Sequence, residues 1–277
     1  MTRVALIFDF DDTLAPDSTT TLLAAKQRDL PNKFWLDWAP KLVADGYDPT
    51  HAYLTLLLDN IGKDKPLGPL NNKALREFGK TLKFFPGVEL LLRDAQKIAA
   101  SYKVDVECYI ISGGLEEIVQ AAPLVKKYFK AVYGCRLDEE AGVLRKIKRA
   151  ITFTEKTRFV FEISKGITPA KVANKPLAVN EDVPLAKRPI PLDHMIYVGD
   201  GLTDIPCWSL IGKNGGLPFG VVNPKGKGPR QQFLEMIMTK RAISWNSPHY
   251  GPKGTLGYLL RAALHAQCAK ARLRSES

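Results

Sequence analysis

Cysteine is scarce in this chain. Its four cysteines among 277 residues, Cys108, Cys135, Cys207 and Cys268, form no CxxC pair and no spacing that suits zinc. That argues against a disulfide scaffold or a structural zinc domain, and buried, reduced thiols in a cytoplasmic protein are the expectation. Long apolar runs are missing too. The run from Leu54 to Leu58 is already broken by Thr55, far short of the ~20 residues that a membrane span needs. The amino terminus passes straight into a strand-like segment without the apolar stretch of a signal peptide, so neither export nor a membrane partner is expected. With 25% charged residues, 21 glycines and 19 prolines, the composition fits neither disorder nor a fibrous repeat.

Excess charge is absent from the first half. Residues 1–138 hold 18 Lys/Arg against 18 Asp/Glu, whereas residues 139–277 hold 22 against 11 and carry the whole net charge of +11. A basic surface draws anions toward a site, but no nucleic-acid-binding motif accompanies it. The run Arg145, Lys146, Lys148, Arg149 reads as the protected polar edge of a hairpin, and nucleic acid is not the expected partner.

With 45% hydrophobic residues, the chain can bury one large core that carries an insertion. Arg3 to Phe10 is nearly all apolar and rich in branched and aromatic residues, as in a central strand buried on both faces. From Ser18 to about Lys83 the apolar residues recur every three or four positions, as in Leu54/Leu57/Leu58/Ile61, and prolines and glycines punctuate the segment. It reads as a small helical bundle inserted after the first strand; Phe34, Trp35 and Trp38 are expected in its core. A helix follows over Val88 to Ala100, then a second strand from Val106 to Ile111 that ends at Ser112-Gly113-Gly114. Residues 132–154 suggest an antiparallel hairpin, Thr157 to Lys165 a helix, and the proline-rich 167–193 a long surface loop. Strands at His194 to Val198 and Leu217 to Val222 flank a helix from Leu202 to Ile211. Helices near Pro229 to Met238 and Thr255 to Lys270 complete the chain. Strands alternating with helices predict an α/β fold, a Rossmann-like, doubly wound, mostly parallel sheet.

In such sheets ligands bind beyond the carboxyl ends of the strands, where the unusual polar residues stand. The first strand end supplies Asp9, Asp11 and Thr13, the second Ser112, Gly113 and Gly114, and a later one Asp200 and Asp204. Lys156 adds a cation from a helix, with Lys165 a competing candidate for that role. Two carboxylates ~4 Å apart repel by about 4 kcal/mol at an effective dielectric near 20, so four converging acids need protons, lysines or a metal. A ligand set made of oxygen, without His or Cys, suits a hard ion, above all Mg²⁺, which is commonly completed by phosphate oxygens. The Ser112 hydroxyl, the glycine amides and Lys156 would receive a tetrahedral dianion. Phosphate monoester chemistry follows.

Phe8-Asp9-Phe10-Asp11-Asp12-Thr13, Ile111-Ser112-Gly113-Gly114, Lys156 ahead of a helix and Gly199-Asp200-Gly201-Leu202-Thr203-Asp204 stand in this order. In these four motifs the sequence resembles the haloacid dehalogenase superfamily, in its magnesium-dependent phosphatase branch, nearest in layout to phosphoserine-phosphatase-like members. The resemblance implies Asp9 as nucleophile and Asp11 as general acid, then general base. It implies Mg²⁺ held by the carboxylates of Asp9 and Asp200 and the main-chain carbonyl of Asp11, with Asp204 as ligand or orienter. Thr13, Ser112, Gly113 and Lys156 would bind the substrate phosphate. The core would comprise residues 1–16 and 84–277, and residues 17–83 would form a helical cap that chooses the substrate. Asp11 favours phosphoryl transfer over dehalogenation, for which the resemblance implies neither this acid nor a metal. The expected activity is hydrolysis of a small phosphorylated metabolite. Phosphotransfer or mutase action through the same intermediate is one rival, and a nucleic-acid-binding or end-processing protein using the basic half is another.

Overall fold

The computed structural model of the chain describes residues 2–223 and 241–276. Among these residues seven strands form one sheet in the order β4-β3-β2-β1-β5-β6-β7. They span Arg3–Phe8 (β1), Asp105–Leu115 (β2), Phe129–Glu140 (β3), Val143–Arg149 (β4), Met195–Gly199 (β5), Leu217–Val221 (β6) and Trp245–Asn246 (β7). All neighbours pair in parallel except β3 and β4. The chain therefore winds outward from β1 through β2 and β3, then returns to the other side of β1 with β5. This reversal makes the β1/β5 boundary the crevice in which an open α/β sheet takes its ligands.

Burial explains the apolar run. Val4, Leu6 and Phe8 face one layer of the core and Ala5 and Ile7 the other, all without solvent exposure. On the Val4 face lie helix α6 (Val88–Ser101) and the last described helix, α12 (Thr255–Arg274). On the Ala5 face lie α9 (Glu155–Ser164) and α11 (Ile205–Lys213). Buried residues of the 18–82 region, among them Leu22, Phe34, Leu54 and Leu75, join this second layer.

That region holds α1 (Ser18–Lys26), α2 (Leu30–Asn32), a π-helical stretch at Lys33–Trp38, α3 (Ala39–Ala44), α4 (Pro49–Asp59) and α5 (Asn72–Gly79). Asp17, Asp48 and Asn71 cap α1, α4 and α5 with their side chains, as short polar residues ahead of a helix do. Phe34 is fully buried, while Trp35 and Trp38 are only partly so.

Several expectations are refined. The second strand runs on through Ser112-Gly113-Gly114 to Leu115, because Leu115 still pairs with Cys135 after a register shift. The expected hairpin is β3 and β4, joined through Ala141 (φ 50°) and Gly142 (φ 74°), two positive-φ residues that suit a tight hairpin. Its first strand also joins the central sheet, since Ala131, Val132 and Tyr133 pair with β2. Within 167–193 the structure winds α10 (Pro169–Asn174) and short 3₁₀ turns. Strand β7, only two residues long, has no periodicity to announce it. Between α6 and α9 stand α7 (Glu116–Ala121) and α8 (Pro123–Tyr128). The helix expected near Pro229 to Met238 lies outside the described residues.

All four cysteines are free and buried. The basic run sits on or next to edge strand β4, with Lys146 paired to Glu140, Lys148 to Asp138 and Arg149 to Glu116. Among the described residues no helix is long and apolar enough to cross a membrane.

Candidate active site

The site forms where β1 and β5 end side by side. Beyond Phe8 the Asp9 amide still donates to Val198 O on β5 (2.8 Å), which fixes Asp9 over the boundary between the two strands. Asp9 Oδ1 accepts from the Phe10 amide at 2.7 Å, and Oδ2 lies 2.9 Å from Lys156 Nζ. The amides of Thr13, Leu14 and Ala15 all point to Phe10 O, at 3.3, 2.8 and 3.2 Å. That tight turn puts Asp12 at φ 53°, a left-handed conformation that aspartate tolerates better than most side chains. Asp12 is a half-buried turn residue, with its carboxylate accepting from Asn223 Nδ2 at 2.6 Å.

At the end of β5, Asp204 collects the site. Its Oδ1 accepts from Lys156 Nζ (2.7 Å) and the Tyr197 hydroxyl (2.8 Å). Its Oδ2 accepts from the amides of Asp200 (3.1 Å) and Gly201 (3.0 Å). A Cβ on Gly199 would lie 2.4 Å from this carboxylate, so the loop can wrap around Asp204 only with glycine there. Asp204 has no solvent exposure. Its four bonds make it the residue that orients both the Asp200 loop and Lys156.

Lys156 enters from the first turn of α9, also without solvent exposure. Burial alone would lower its pKa, but Asp204 and Asp9 outweigh that and hold it well above the ordinary lysine range. Lys165, the competing candidate, is elsewhere: its ammonium donates to the carbonyls of Val179 and Glu181, both at 2.7 Å. Of the two lysines, Lys156 is the one that reaches Asp9 and Asp204.

One oxygen each from Asp9, Asp200 and Asp204 lies within 4.8 Å of the others. Among the described residues, the one hydrogen bond to the Asp200 carboxylate comes from the Thr13 hydroxyl, at 3.2 Å. Burial first, then Asp9 and Asp204, hold its pKa well above the carboxylate range. Asp9 is pushed up to about 6 by burial, with Lys156 opposing. Three carboxylates and one ammonium leave an excess of negative charge, presented by oxygens alone. A hard divalent cation fits that donor set and that deficit.

Asp11 stands apart from this group. Its Oδ1 accepts from the Ser18 amide at 2.8 Å, and its pKa is held well above the ordinary range by burial and then by Asp17. A Cβ on Gly114 would sit 2.3 Å from Asp11 Oδ2, so that glycine lets the 112–114 backbone and the Asp11 carboxylate approach. Ser112 is buried, its hydroxyl oxygen accepting from the Gly114 amide at 3.0 Å. Gly113 O accepts from the Tyr53 hydroxyl (2.5 Å) and Cys135 Sγ (3.1 Å). Thr13, expected to face a phosphate, is fully buried with its hydroxyl directed at Asp200.

Sequence reasoning missed three tyrosines that brace the site. Tyr197 bonds Asp204, Tyr53 bonds the Gly113 carbonyl, and the Tyr250 hydroxyl donates to Thr13 O at 2.7 Å. Tyr197 had a usable signal, an inward position one turn of the pleat before Gly199. Tyr53 and Tyr250 come from distant parts of the chain and had none.

No family model matches the sequence. An uncharacterized protein of Borreliella burgdorferi is 29% identical over 233 residues, covering 75% of this chain and 78% of its own length. Among solved structures, a phospho-aspartyl intermediate analogue of phosphoserine phosphatase superposes with a TM-score of 0.56 at 18% identity, over 95% of this chain and 99% of its own. A substrate-bound phosphoserine phosphatase complex gives 0.57 at 17% over the same shares. A HAD-family hydrolase from Salmonella enterica gives 0.57 at 16%, over 88% of this chain and 67% of its own. The chain therefore has the haloacid dehalogenase fold, in the arrangement of the phosphoserine phosphatases.

Proposed function

We propose that the chain is a Mg²⁺-dependent phosphatase that hydrolyses a small phosphorylated metabolite through an aspartyl-phosphate on Asp9. One observation carries this reading: Asp9, at the end of β1, is held between Lys156 and the Phe10 amide within reach of Asp200. A solved structure of the same fold is a phospho-aspartyl intermediate analogue of phosphoserine phosphatase, which supports the same assignment here.

Asp9 and Asp200, with the main-chain carbonyl of Asp11, would hold the Mg²⁺, and Asp204 would orient them. The ion, when bound, supplies positive charge against the carboxylates and the phosphoryl oxygens. In the first step an Asp9 carboxylate oxygen forms a bond to phosphorus while the ester P–O bond breaks. Asp11, whose burial favours the protonated form, gives its proton to the leaving alkoxide. In the second step water attacks the aspartyl-phosphate, Asp11 takes the proton of that water, and Asp9 leaves as carboxylate with inorganic phosphate. Lys156, Ser112 and the amides of the Gly113 loop would hold the phosphoryl oxygens. Residues 17–83 would act as the cap over this chemistry, keeping bulk water from the intermediate. The Tyr53–Gly113 and Thr50–Ile151 hydrogen bonds, at 2.5 and 3.3 Å, join that segment to the core beside the site.

The test is phosphate release from p-nitrophenyl phosphate with and without Mg²⁺. Asp9→Asn should lower turnover by more than about a thousandfold while the circular dichroism and melting of the protein persist. Unchanged turnover in that variant sinks the reading.

A further inference from the structure

Asp11 protonates the leaving alcohol, so the walls beyond Asp11 decide which alcohols fit. The Ser18 amide holds Asp11 at 2.8 Å, and the residue before it, Asp17, forms one wall of a cavity of about 390 Å³. Pro31, Asn32, Trp35 and Leu36 form the others. Trp35, another of its walls, connects through Tyr53 to the 112–114 loop. The Trp35 ring lies 5.9 Å from that of Tyr53, and the Tyr53 hydroxyl donates to Gly113 O. The space thus adjoins residues that hold both the acid and the phosphate loop.

Its chemistry is one-sided. None of the five lining residues is Lys, Arg or His. Asp17 Oδ1 accepts from the Thr20 amide at 2.6 Å to cap α1, and among the described residues no hydrogen bond or ion pair falls on Oδ2. Trp35 is fixed in orientation, because its indole N–H donates to Thr20 Oγ1 at 2.8 Å and Phe34 packs against the ring at 4.8 Å. Leu36, 76% exposed, and Pro31 add apolar surface. Trp35 and Leu36 belong to the π-helical Lys33–Trp38 stretch, a rare winding that is frequent at functional sites. A carboxylate, an oriented indole and apolar surface without a cationic side chain form a receptor for an alkylated ammonium. The same lining repels a leaving group that carries a carboxylate.

We propose that this cavity is the leaving-group subsite and selects phosphate monoesters of small alcohols bearing a positively charged, alkylated amine, with Asp17 and Trp35 holding the cation. The inference rests on the phosphatase reading above.

The test compares kcat/KM for phosphocholine, its neutral carbon isostere 3,3-dimethylbutyl phosphate, phosphoserine and p-nitrophenyl phosphate. Phosphocholine should exceed the isostere by about tenfold and phosphoserine by more. Asp17→Asn, which keeps a capping side chain, and Trp35→Leu should each bring the phosphocholine-to-isostere ratio toward one. An isostere turned over as well as phosphocholine, or a preference for phosphoserine, overturns the subsite while hydrolysis of p-nitrophenyl phosphate leaves the phosphatase reading intact. If no ester is hydrolysed, the phosphatase reading falls, and calorimetric titration of the unaltered protein decides the subsite. Tighter binding of phosphocholine than of the isostere by about tenfold then upholds the cation selectivity of the cavity but not its leaving-group role, and equal or undetectable binding overturns both.

Discussion

The Lys156 ammonium lies 2.9 Å from Asp9 Oδ2 with no solvent exposure, so the proposed nucleophile carries its counter-charge within the protein. Lys156→Met would leave Asp9 and Asp204 facing each other without it. Removing one partner of a buried ion pair typically costs about 3–5 kcal/mol. The variant should melt lower at pH 7, and its deficit should shrink at pH 5, where protons neutralise the orphaned acids. Phosphate release should fall below detection. Melting curves at the two pH values check the first claim, and a deficit that grows on acidification would refute it.

Asp11→Asn separates proton transfer from phosphorus attack. The amide oxygen can still accept from the Ser18 amide, so the fold and its melting temperature should hold. Alkyl phosphates, whose alkoxides need a proton to leave, should lose about 10²–10⁴-fold in kcat/KM. Aryl esters with stable phenolates should lose less in the first step and accumulate phosphorylated Asp9, because the base for the second step is gone. Rapid-quench mass spectrometry reads that adduct directly. Equal losses on alkyl and aryl esters would remove the acid role.

These two acids show what the sequence discloses and what it withholds. The doubly wound sheet was legible because β1 is buried on both faces, which leaves an unbroken apolar run before Asp9. Asp9, Asp200 and Ser112 could be placed together because parallel strands bring their carboxyl ends to one side of a sheet. The winding of 33–38 was not legible, since a π stretch of six residues is too short for its own apolar period to show. Nor was the direction of the Thr13 hydroxyl, which depends on Asp200, 187 residues away. Lys156 and Lys165 both suit a position on α9 by sequence; only the turn of that helix sends one toward Asp204 and the other toward the carbonyl of Val179.

Gly114 sets the distance between the proposed phosphate loop and the proposed acid, Asp11. In Gly114→Ala the new methyl would meet Asp11 Oδ2 at 2.3 Å, and overpacking of this kind costs about 1–3 kcal/mol. Relief must come from turning the Asp11 carboxylate away from Ser18 or from lifting the loop. Either movement separates the acid from the phosphate, so kcat should fall by about 10²-fold or more while the protein stays folded. Gly142→Ala, in the β3–β4 turn with no neighbour within 4 Å of its Cβ, serves as the stability control: it should cost comparable or smaller melting temperature and leave kcat alone.

Mg²⁺ should stabilise the protein in a pH-dependent way whose sign follows from Asp9. Its folded pKa, about 6, lies above the ordinary 3.8. The folded state therefore binds the proton more tightly than the unfolded chain. That contribution to stability is complete below about pH 4 and is lost as pH rises through 6, and the upward shift of Asp200 acts in the same sense. A cation competes with those protons, so it binds best once they have left. At a hundred times its dissociation constant it adds about 2.7 kcal/mol, or several degrees in Tm for a chain of this size. The rise on adding Mg²⁺ should thus be clear at pH 8, small at pH 5, and absent after chelation. Asp200→Asn should abolish it at both pH values, because it removes a ligand carboxylate while the amide side chain can still meet the Thr13 hydroxyl. Differential scanning calorimetry of the two proteins at the two pH values decides the matter, and an equal rise at pH 5 and pH 8 would place the cation away from these acids.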